Sequence, residues 1–344
     1  MMDDSTGTGF GVRTPRRAAL GMAAAGAAAA LAAPGVARAQ VARGAADWPT
    51  QTVRYINVYA PGGTTDIMGR IWCAKMSELT GHQFLVDVRA GAAGTVGSTA
   101  IARSAPDGLT IGLGSIAPLA VAPSLYPSLA FDPARDFTYI DGMFQIPNLL
   151  IVNNDLPARS VPELIDLLKR NPGRYVFGSG GTGTTVHLSG EMFKQMAGVD
   201  MIHAPYRGEA LAITDMIGGR VHMVFANIPS AIAQVRQGAA RPLAVTGAER
   251  SPVAPEVPTM AEFLPGFDIT SWGCVIAPAG IPAPMLERMT ALSDRALDNL
   301  ELVSKFHESG ATPWKIAPDA LKAYRAEQEA LFARVIRTAG VRME

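Results

Sequence analysis

Two glycine-rich loops hold most of the residues in this sequence whose types and spacing could perform chemistry. The first reads Y-A-P-G-G-T-T-D over residues 59–66, and the second reads G-S-G-G-T-G-T-T over residues 178–185. Each follows a short apolar run and precedes a helical pattern, so each is expected to lead from a strand into a helix. Glycine lets a backbone approach a ligand closely, and the free amides of a first helical turn attract an anion. The candidate ligand-binding residues are Tyr59, Gly63, Thr64, Thr65 and Asp66 in the first loop, and Ser179, Gly181, Gly183 and Thr184 in the second.

The first loop can equally be interpreted as an ordinary strand-to-helix turn. Thr64, Thr65 and Asp66 are all of the residue types that cap helix N-termini. A ligand carboxylate would be repelled by Asp66 unless that side chain points away or caps the helix. The sequence alone does not choose between a binding loop and a plain turn.

The second loop resembles two nucleotide-binding motifs and is incomplete for both. Gly178, Gly180 and Gly183 satisfy the dinucleotide spacing G-x-G-x-x-G. Such a site also needs an acidic residue at the end of the next strand, and the strand predicted at 201–204 has none. A P-loop needs lysine where Thr184 stands. The loop is therefore predicted to bind an anion through its backbone, and a nucleotide-dependent α/β enzyme is kept as the alternative.

Four further polar residues are candidates because of their positions beside predicted strands and helices. His187 lies in the first turn of the helix after the second loop, where it either donates to a ligand or packs against another helix. Arg207 precedes a later helix and could clamp a carboxylate bidentately, although arginines on loops are more often solvated. Ser115 and Asn227 follow two predicted strands and complete the set.

The sequence contains no complete motif for catalysis or metal binding. Neither G-x-S-x-G nor H-E-x-x-H occurs in it. His187 and Glu191 stand four residues apart on one helix face, but a zinc site needs a third ligand nearby. We therefore expect no metal, no cofactor and no enzymatic activity. Cys73 and Cys274 are either a disulfide or two buried thiols, because a pair so far apart in the chain carries no spacing signal.

The order of the strand and helix patterns predicts an α/β protein with two lobes. Short apolar runs alternate with amphipathic stretches through most of the chain. Two extended runs without helices, at 136–155 and 269–277, interrupt that alternation and predict two crossover strands. The first lobe is then discontinuous, with residues 47–148 and 270–344, and the second comprises residues 149–269. Ligands bind at the carboxyl ends of strands in such sheets, so the site is expected in the cleft between the lobes.

The N-terminal segment has the composition of an export signal. Arg16 and Arg17 precede an apolar stretch rich in alanine and glycine, and an A-x-A pattern ends at Ala39. These features predict a signal peptide over residues 1–39, exported by the Sec or twin-arginine route, and a periplasmic mature chain. Thirty basic residues balance thirty acidic residues in the sequence, which does not favour nucleic-acid binding.

An ordered set of short motifs resembles the Bug-type receptors of tripartite tricarboxylate transporters. The resemblance runs from Trp48-Pro49 to the C-terminus. The matching segments are P-G-G-T-T-D at 61–66, A-P-D-G-L-T at 105–110, F-D-P-A-R-D-F at 131–137, G-S-G-G-T-G-T at 178–184 with H-L-S-G-E at 187–191, and Y-R-G at 206–208. Each segment is weak alone, and their order is what makes the resemblance specific.

The resemblance implies a periplasmic-binding-protein fold of type II, the two-lobed Venus flytrap. It also implies a monomer that captures a small organic dicarboxylate or tricarboxylate and presents it to transporter membrane subunits; a receptor for another solute is the alternative. The loops matching 61–66 and 178–184 are expected to hold one ligand carboxylate through amides, hydroxyls and ordered water. Two residues depart from the family pattern: Val88 replaces an asparagine, and His222 replaces the usual aspartate. The second change is expected to alter ligand choice, because its strand ends near the cleft.

Overall fold

The computed structural model describes residues 47–339, so the predicted signal peptide lies outside the described residues. The strands are β1 (Val53–Asn57), β2 (Phe84–Val88), β3 (Thr110–Ser115), β4 (Phe137–Val152), β5 (Val176–Ser179), β6 (Ile202–Pro205), β7 (Met223–Asn227), β8 (Arg241–Val245), β9 (Thr270–Pro278) and β10 (Thr312–Pro313). The α-helices are α1 (Thr64–Thr80), α2 (Thr95–Ala102), α3 (Ala122–Leu125), α4 (Val161–Arg170), α5 (Thr185–Ala197), α6 (Glu209–Ile217), α7 (Ile228–Arg236), α8 (Ala283–Leu297), α9 (Leu300–Glu308) and α10 (Pro318–Ala339).

Two blocks of parallel strands are joined by two long antiparallel strands. The sheet order is β2-β1-β3-β9-β4-β7-β5-β6, with β8 and β10 also paired to β4. Strand β1 pairs in parallel with β2 and β3, and β5 pairs in parallel with β6 and β7. Strand β4 pairs with β9 up to Pro147 and with β7 and β8 from Asn148 onwards. A single strand therefore belongs to both blocks.

Within residues 136–155 the apolar pattern predicts two separate strands, at 136–143 and 148–152, and the structure has one continuous strand. Pro147 stands at the point where β4 changes partners. A residue without an N–H group fits such a place better than the middle of a regular ladder. The lobe boundaries at 148/149 and 269/270 stay predictions.

A second difference concerns residues 90–97, whose glycine and alanine content predicts a loop. Ala92–Gly94 form a short 3₁₀ turn, and α2 begins at Thr95. A β-carbon added to Gly97 would lie 2.8 Å from the Arg89 carbonyl oxygen and 2.7 Å from Val58 Cγ1. The glycine inside α2 therefore marks close packing of a helix onto β1, rather than an irregular loop.

Helices pack on both blocks and bury an apolar core around them. In the second block, the side chains of Phe177, Phe193 and Phe225 are fully buried. In the first block, Trp72 and Tyr55 are buried against each other, with their ring centroids 5.8 Å apart. Within residues 47–339, no helix has both the length and the apolar character required to cross a bilayer.

Candidate functional site

The two glycine-rich loops meet at one cleft. The cleft is open to solvent, and its volume of about 510 Å³ includes the part that is open. Seven of the predicted site residues line it: Tyr59, Gly63, Thr64, Thr65, Ser115, Thr184 and Asn227. Apolar side chains complete the walls, chiefly Ile116, Phe144, Val186 and Trp272. Strand ends and helix N-termini from both parallel blocks therefore contribute to a single site.

Hydroxyl groups lie along the side of the cleft formed by the first loop. The Tyr59 hydroxyl lies 3.1 Å from Ser115 Oγ and 3.3 Å from the Ala93 carbonyl oxygen. Burial raises the pKa of Tyr59, so this hydroxyl stays protonated and donates to the Ala93 carbonyl oxygen. The Thr65 hydroxyl is buried and has no hydrogen-bond partner among the described residues. This wall can therefore donate to an oxygen of a bound ligand.

Asp66 has a structural position in the first loop. Its Oδ2 accepts a hydrogen bond from the Gly62 amide at 3.0 Å, and its Oδ1 lies 3.0 Å from Arg70 Nε one turn further along α1. The carboxylate thus fastens the loop to the helix and lies outside the lining of the cleft. Because these contacts keep the Asp66 carboxylate out of the lining, it does not oppose an anion bound in the cleft.

The second loop is held by its own side chains. Ser179 Oγ accepts the Gly181 amide at 3.1 Å, and the Thr184 hydroxyl donates to the Gly181 carbonyl at 2.8 Å. Thr184 also caps α5, because its Oγ1 accepts the His187 amide at 3.3 Å. The amides of Thr185 and Val186 lie in the first turn of α5, where a helix offers no internal acceptor. Since both residues line the cleft, α5 directs its positive end toward it.

Two histidines support this loop from behind. The Gly183 amide donates to His187 Nδ1 at 3.1 Å, which requires that nitrogen to be unprotonated. Burial, with smaller contributions from His203 and Lys194, lowers the pKa of His187 to about 3. His203 packs against His187 with their ring centroids 4.1 Å apart and the rings tilted by 35°, and it shares a 2.7 Å hydrogen bond with Ser179 Oγ. Burial also lowers the pKa of His203, to about 4, so both rings are neutral at physiological pH.

The sequence analysis missed Glu209, which lies at the centre of the site. Its side chain is 8% exposed and lines the cleft. Its Oε1 accepts the Thr64 amide at 3.1 Å and a close hydrogen bond from the Ser230 hydroxyl, and its Oε2 accepts the Asn227 amide at 3.0 Å. The carboxylate therefore occupies donors from the first turn of α1 and from the start of α7. Among the described residues that line the cleft, Glu209 is the one charged side chain.

The other predicted site residues lie outside the lining. They are Asp66, Ser179, Gly181, Gly183, His187 and Arg207. The second loop is shaped by four of them, Ser179, Gly181, Gly183 and His187. Arg207 is exposed at the surface. Their ligand-binding roles stay predictions.

The structure also shows the surroundings of the two cysteines and of His222. Both Cys73 and Cys274 are free and buried, and burial raises the pKa of each thiol. His222 Nδ1 accepts the Val176 amide at 3.0 Å, and the ring lines a different surface depression together with Tyr175. Within residues 47–339, no group of three or more histidine, cysteine or acidic side chains is arranged to hold a metal ion.

Comparison with known proteins gives matches over nearly the whole described chain. Residues 68–341 match the family described as tripartite tricarboxylate transporter family receptor. Protein BugT of Bordetella pertussis is 33% identical over 302 residues, which cover 87% of this chain and 93% of BugT. Rpa4515 of R. palustris, solved with adipate, is 34% identical with a TM-score of 0.84, covering 86% of this chain and 99% of that one. The periplasmic binding protein BugD is 29% identical with a TM-score of 0.83, covering 86% of this chain and all of BugD. These neighbours confirm the predicted fold class of two-lobed periplasmic binding proteins.

Proposed function

Because the chain belongs to the tripartite tricarboxylate transporter family of solute-binding receptors, we propose that it captures a small organic acid in this cleft and presents it to the membrane subunits of such a transporter. The observation that carries the proposal is the convergence of both glycine-rich loops on one cleft with an α-helix N-terminus directed into it. A relative with the same fold, Rpa4515, was solved with adipate. No chemistry is needed for this function, and the acid is expected to leave unchanged.

The N-terminus of α5 is the place proposed for a ligand carboxylate. The Thr185 and Val186 amides are donors without internal acceptors, and the hydroxyl groups of Thr185, Tyr59 and Thr65 lie along the same cleft. Backbone amides at a helix start bind anions without a cationic side chain. The cleft can therefore hold one carboxylate although no basic side chain lines it among the described residues.

Several further parts of the proposal concern the protein in the cell. The chain is exported by cleavage after Ala39, and it works as a monomer whose lobes, 47–148 with 270–344 and 149–269, close around the ligand. A ligand that contacts both loops favours the closed state by those differential contacts alone. Closure alters the surface around the cleft mouth, which a membrane partner can recognise.

Calorimetric titration with a panel of short organic acids tests the proposal. A ligand should bind wild type, and Thr185→Val should weaken its binding about 10- to 100-fold, because a hydroxyl that donates to a carboxylate is lost. Thr214→Val is the matched control, since Thr214 is exposed on α6 and lies outside the lining of the cleft. Equal affinity of wild type and Thr185→Val would refute the placement of the carboxylate.

The same panel should include NAD and ATP, which represent the nucleotide alternative. Mass spectrometry of the released ligand should recover the acid unaltered. Nucleotide binding in the cleft, or turnover of the acid, would contradict the receptor function itself.

A further inference from the structure

Glu209 is a buried carboxylate without a cationic partner. Among the ion pairs of the described residues none involves it, and the donors around it are two neutral amides and the Ser230 hydroxyl. Burying a charge in this way is costly unless a partner is supplied. The open side of Glu209 faces the cleft, so a ligand can supply that partner.

The hydrogen-bond inventory of Glu209 leaves room for one more donor. An ionised carboxylate has about four acceptor positions, two on each oxygen. Two are used on Oε1 by Thr64 and Ser230, and one is used on Oε2 by Asn227. The remaining position on Oε2 can accept an N–H group and cannot accept a second carboxylate.

Glu209 and Ser230 also occupy a donor of the first loop that a ligand carboxylate would need. The Thr64 amide, the first-turn donor nearest the glycine pair, is shared between Ser230 Oγ at 2.7 Å and Glu209 Oε1 at 3.1 Å. The positive end of α5 and the negative charge of Glu209 thus give one cleft two regions of opposite charge. A dicarboxylate would place its second negative charge beside Glu209, and like charges repel most strongly where water is excluded.

We propose that the ligand is a small carboxylate that carries an ammonium group, with its carboxylate at the N-terminus of α5 and its ammonium on Glu209. This inference rests on the proposed receptor function and names the ligand class of the same site. The rings of Phe144 and Trp272 line the cleft and provide faces suited to a cation or to the methylene groups between the two charged ends.

Matched pairs of ligands test the proposal on wild-type protein. Each ω-amino acid is compared with the dicarboxylate of the same chain length: β-alanine with succinate, 4-aminobutyrate with glutarate, and 5-aminopentanoate with adipate. Calorimetry should show the amino acid of the best pair binding about 10- to 100-fold more tightly than its dicarboxylate, as expected for a hydrogen bond between charged groups. Equal affinity within each pair, or tighter dicarboxylate binding, overturns the inference and leaves the receptor function standing.

The variant Glu209→Gln keeps the shape of the side chain and removes its charge. It should lose the preference for the amino acid and should bind the dicarboxylate more tightly than wild type does. Glu287→Gln, at an exposed position on α8, removes the same charge outside the lining of the cleft and should leave the preference unchanged. A preference that persists in Glu209→Gln assigns the selectivity elsewhere and overturns the role of Glu209.

If Glu209→Gln does not fold, the wild-type pairs still decide the question, because they need no variant. Binding of neither class in any pair would contradict both this inference and the proposed capture of organic acids. The failure of the two proposals can therefore be distinguished.

Discussion

Acid should unfold this protein through the two histidines behind the second loop. His187 and His203 have pKa values lowered to about 3 and about 4, with burial as the first cause of each shift. In the unfolded chain their pKa returns to about 6.5, so below that pH the unfolded state binds more protons. The stability that the two neutral histidines contribute is therefore fully present above pH 6.5 and is lost as the pH falls toward their folded pKa values.

The magnitude can be calculated for each ring. Because each histidine is neutral in the folded state, it lowers the free energy of unfolding by about 1.4 kcal/mol for every pH unit below 6.5. Between pH 6.5 and pH 5 this amounts to about 2 kcal/mol for each, and about 4 kcal/mol for both. A typical domain has about 5–15 kcal/mol in total, so the loss is large enough to measure.

Two substitutions remove the titrating groups while keeping their hydrogen bonds. In His187→Asn the amide oxygen can replace Nδ1 as acceptor for Gly183, and in His203→Gln the terminal amide can replace Nε2 opposite Ser179. Urea denaturation of wild type and of the double variant at pH 7.5, 6 and 5 gives the free energy of unfolding at each pH. The double variant should lose about 4 kcal/mol less than wild type between pH 7.5 and pH 5.

The control variant His307→Gln removes an exposed histidine and should follow wild type. Asp141 acts in the opposite direction, because burial raises its pKa to about 7, but it is common to all three proteins and cancels in the comparison. The reasoning is refuted if wild type and double variant show the same dependence on pH.

Two further predictions concern stability. Asp141→Asn should stabilise the protein by about 2–4 kcal/mol at pH 8 and by less as the pH approaches 4. The reason is that the pKa of Asp141 is raised, so wild type loses stability as this carboxyl ionises. Urea titrations at pH 8 and 5 that show no difference between variant and wild type would contradict this prediction. Thr184→Ala should cost about 1 kcal/mol of unfolding free energy by removing the cap of α5, whereas Thr184→Ser should cost little; thermal melts in which both variants behave alike would exclude the capping role.

The elements with strong local signals were predictable from the sequence. A serine at position 160 before an apolar pattern predicts a helix start, and Ser160 Oγ accepts the Glu163 amide at 3.4 Å at the start of α4. The apolar patterns also predict a strand at 84–88 and a helix at 209–217, and β2 and α6 have these bounds. The elements that were missed depend on distant contacts: the continuity of β4 through Pro147 depends on a change of partner strand, and α2 depends on packing against β1. Neither contact leaves a periodic pattern in the local sequence.

The sequence predicted the two loops of the candidate site but not the charged residue between them. The loops at 59–66 and 178–185 carry glycine and hydroxyl signals, and both contribute to the cleft. Glu209 carries no such signal, because a glutamate at the start of an amphipathic helix is what any exposed helix N-terminus favours. Only the fold shows that this glutamate lies between the two loops, at 8% exposure.

The same placement gives a physical reason for two of the glycines. A β-carbon at Gly63 would lie 3.6 Å from Glu209 Cγ, and one at Gly180 would lie 3.1 Å from the Glu209 amide nitrogen. The glycine in each loop was interpreted as room for a ligand to approach, and the group that approaches is a residue of this chain. Because the Glu209 backbone packs on the second loop and its carboxylate binds the first, the charge of this residue is fixed at the junction of the two loops. A side chain held in that way cannot withdraw from a ligand, so we expect its charge to contribute to the selectivity of the cleft.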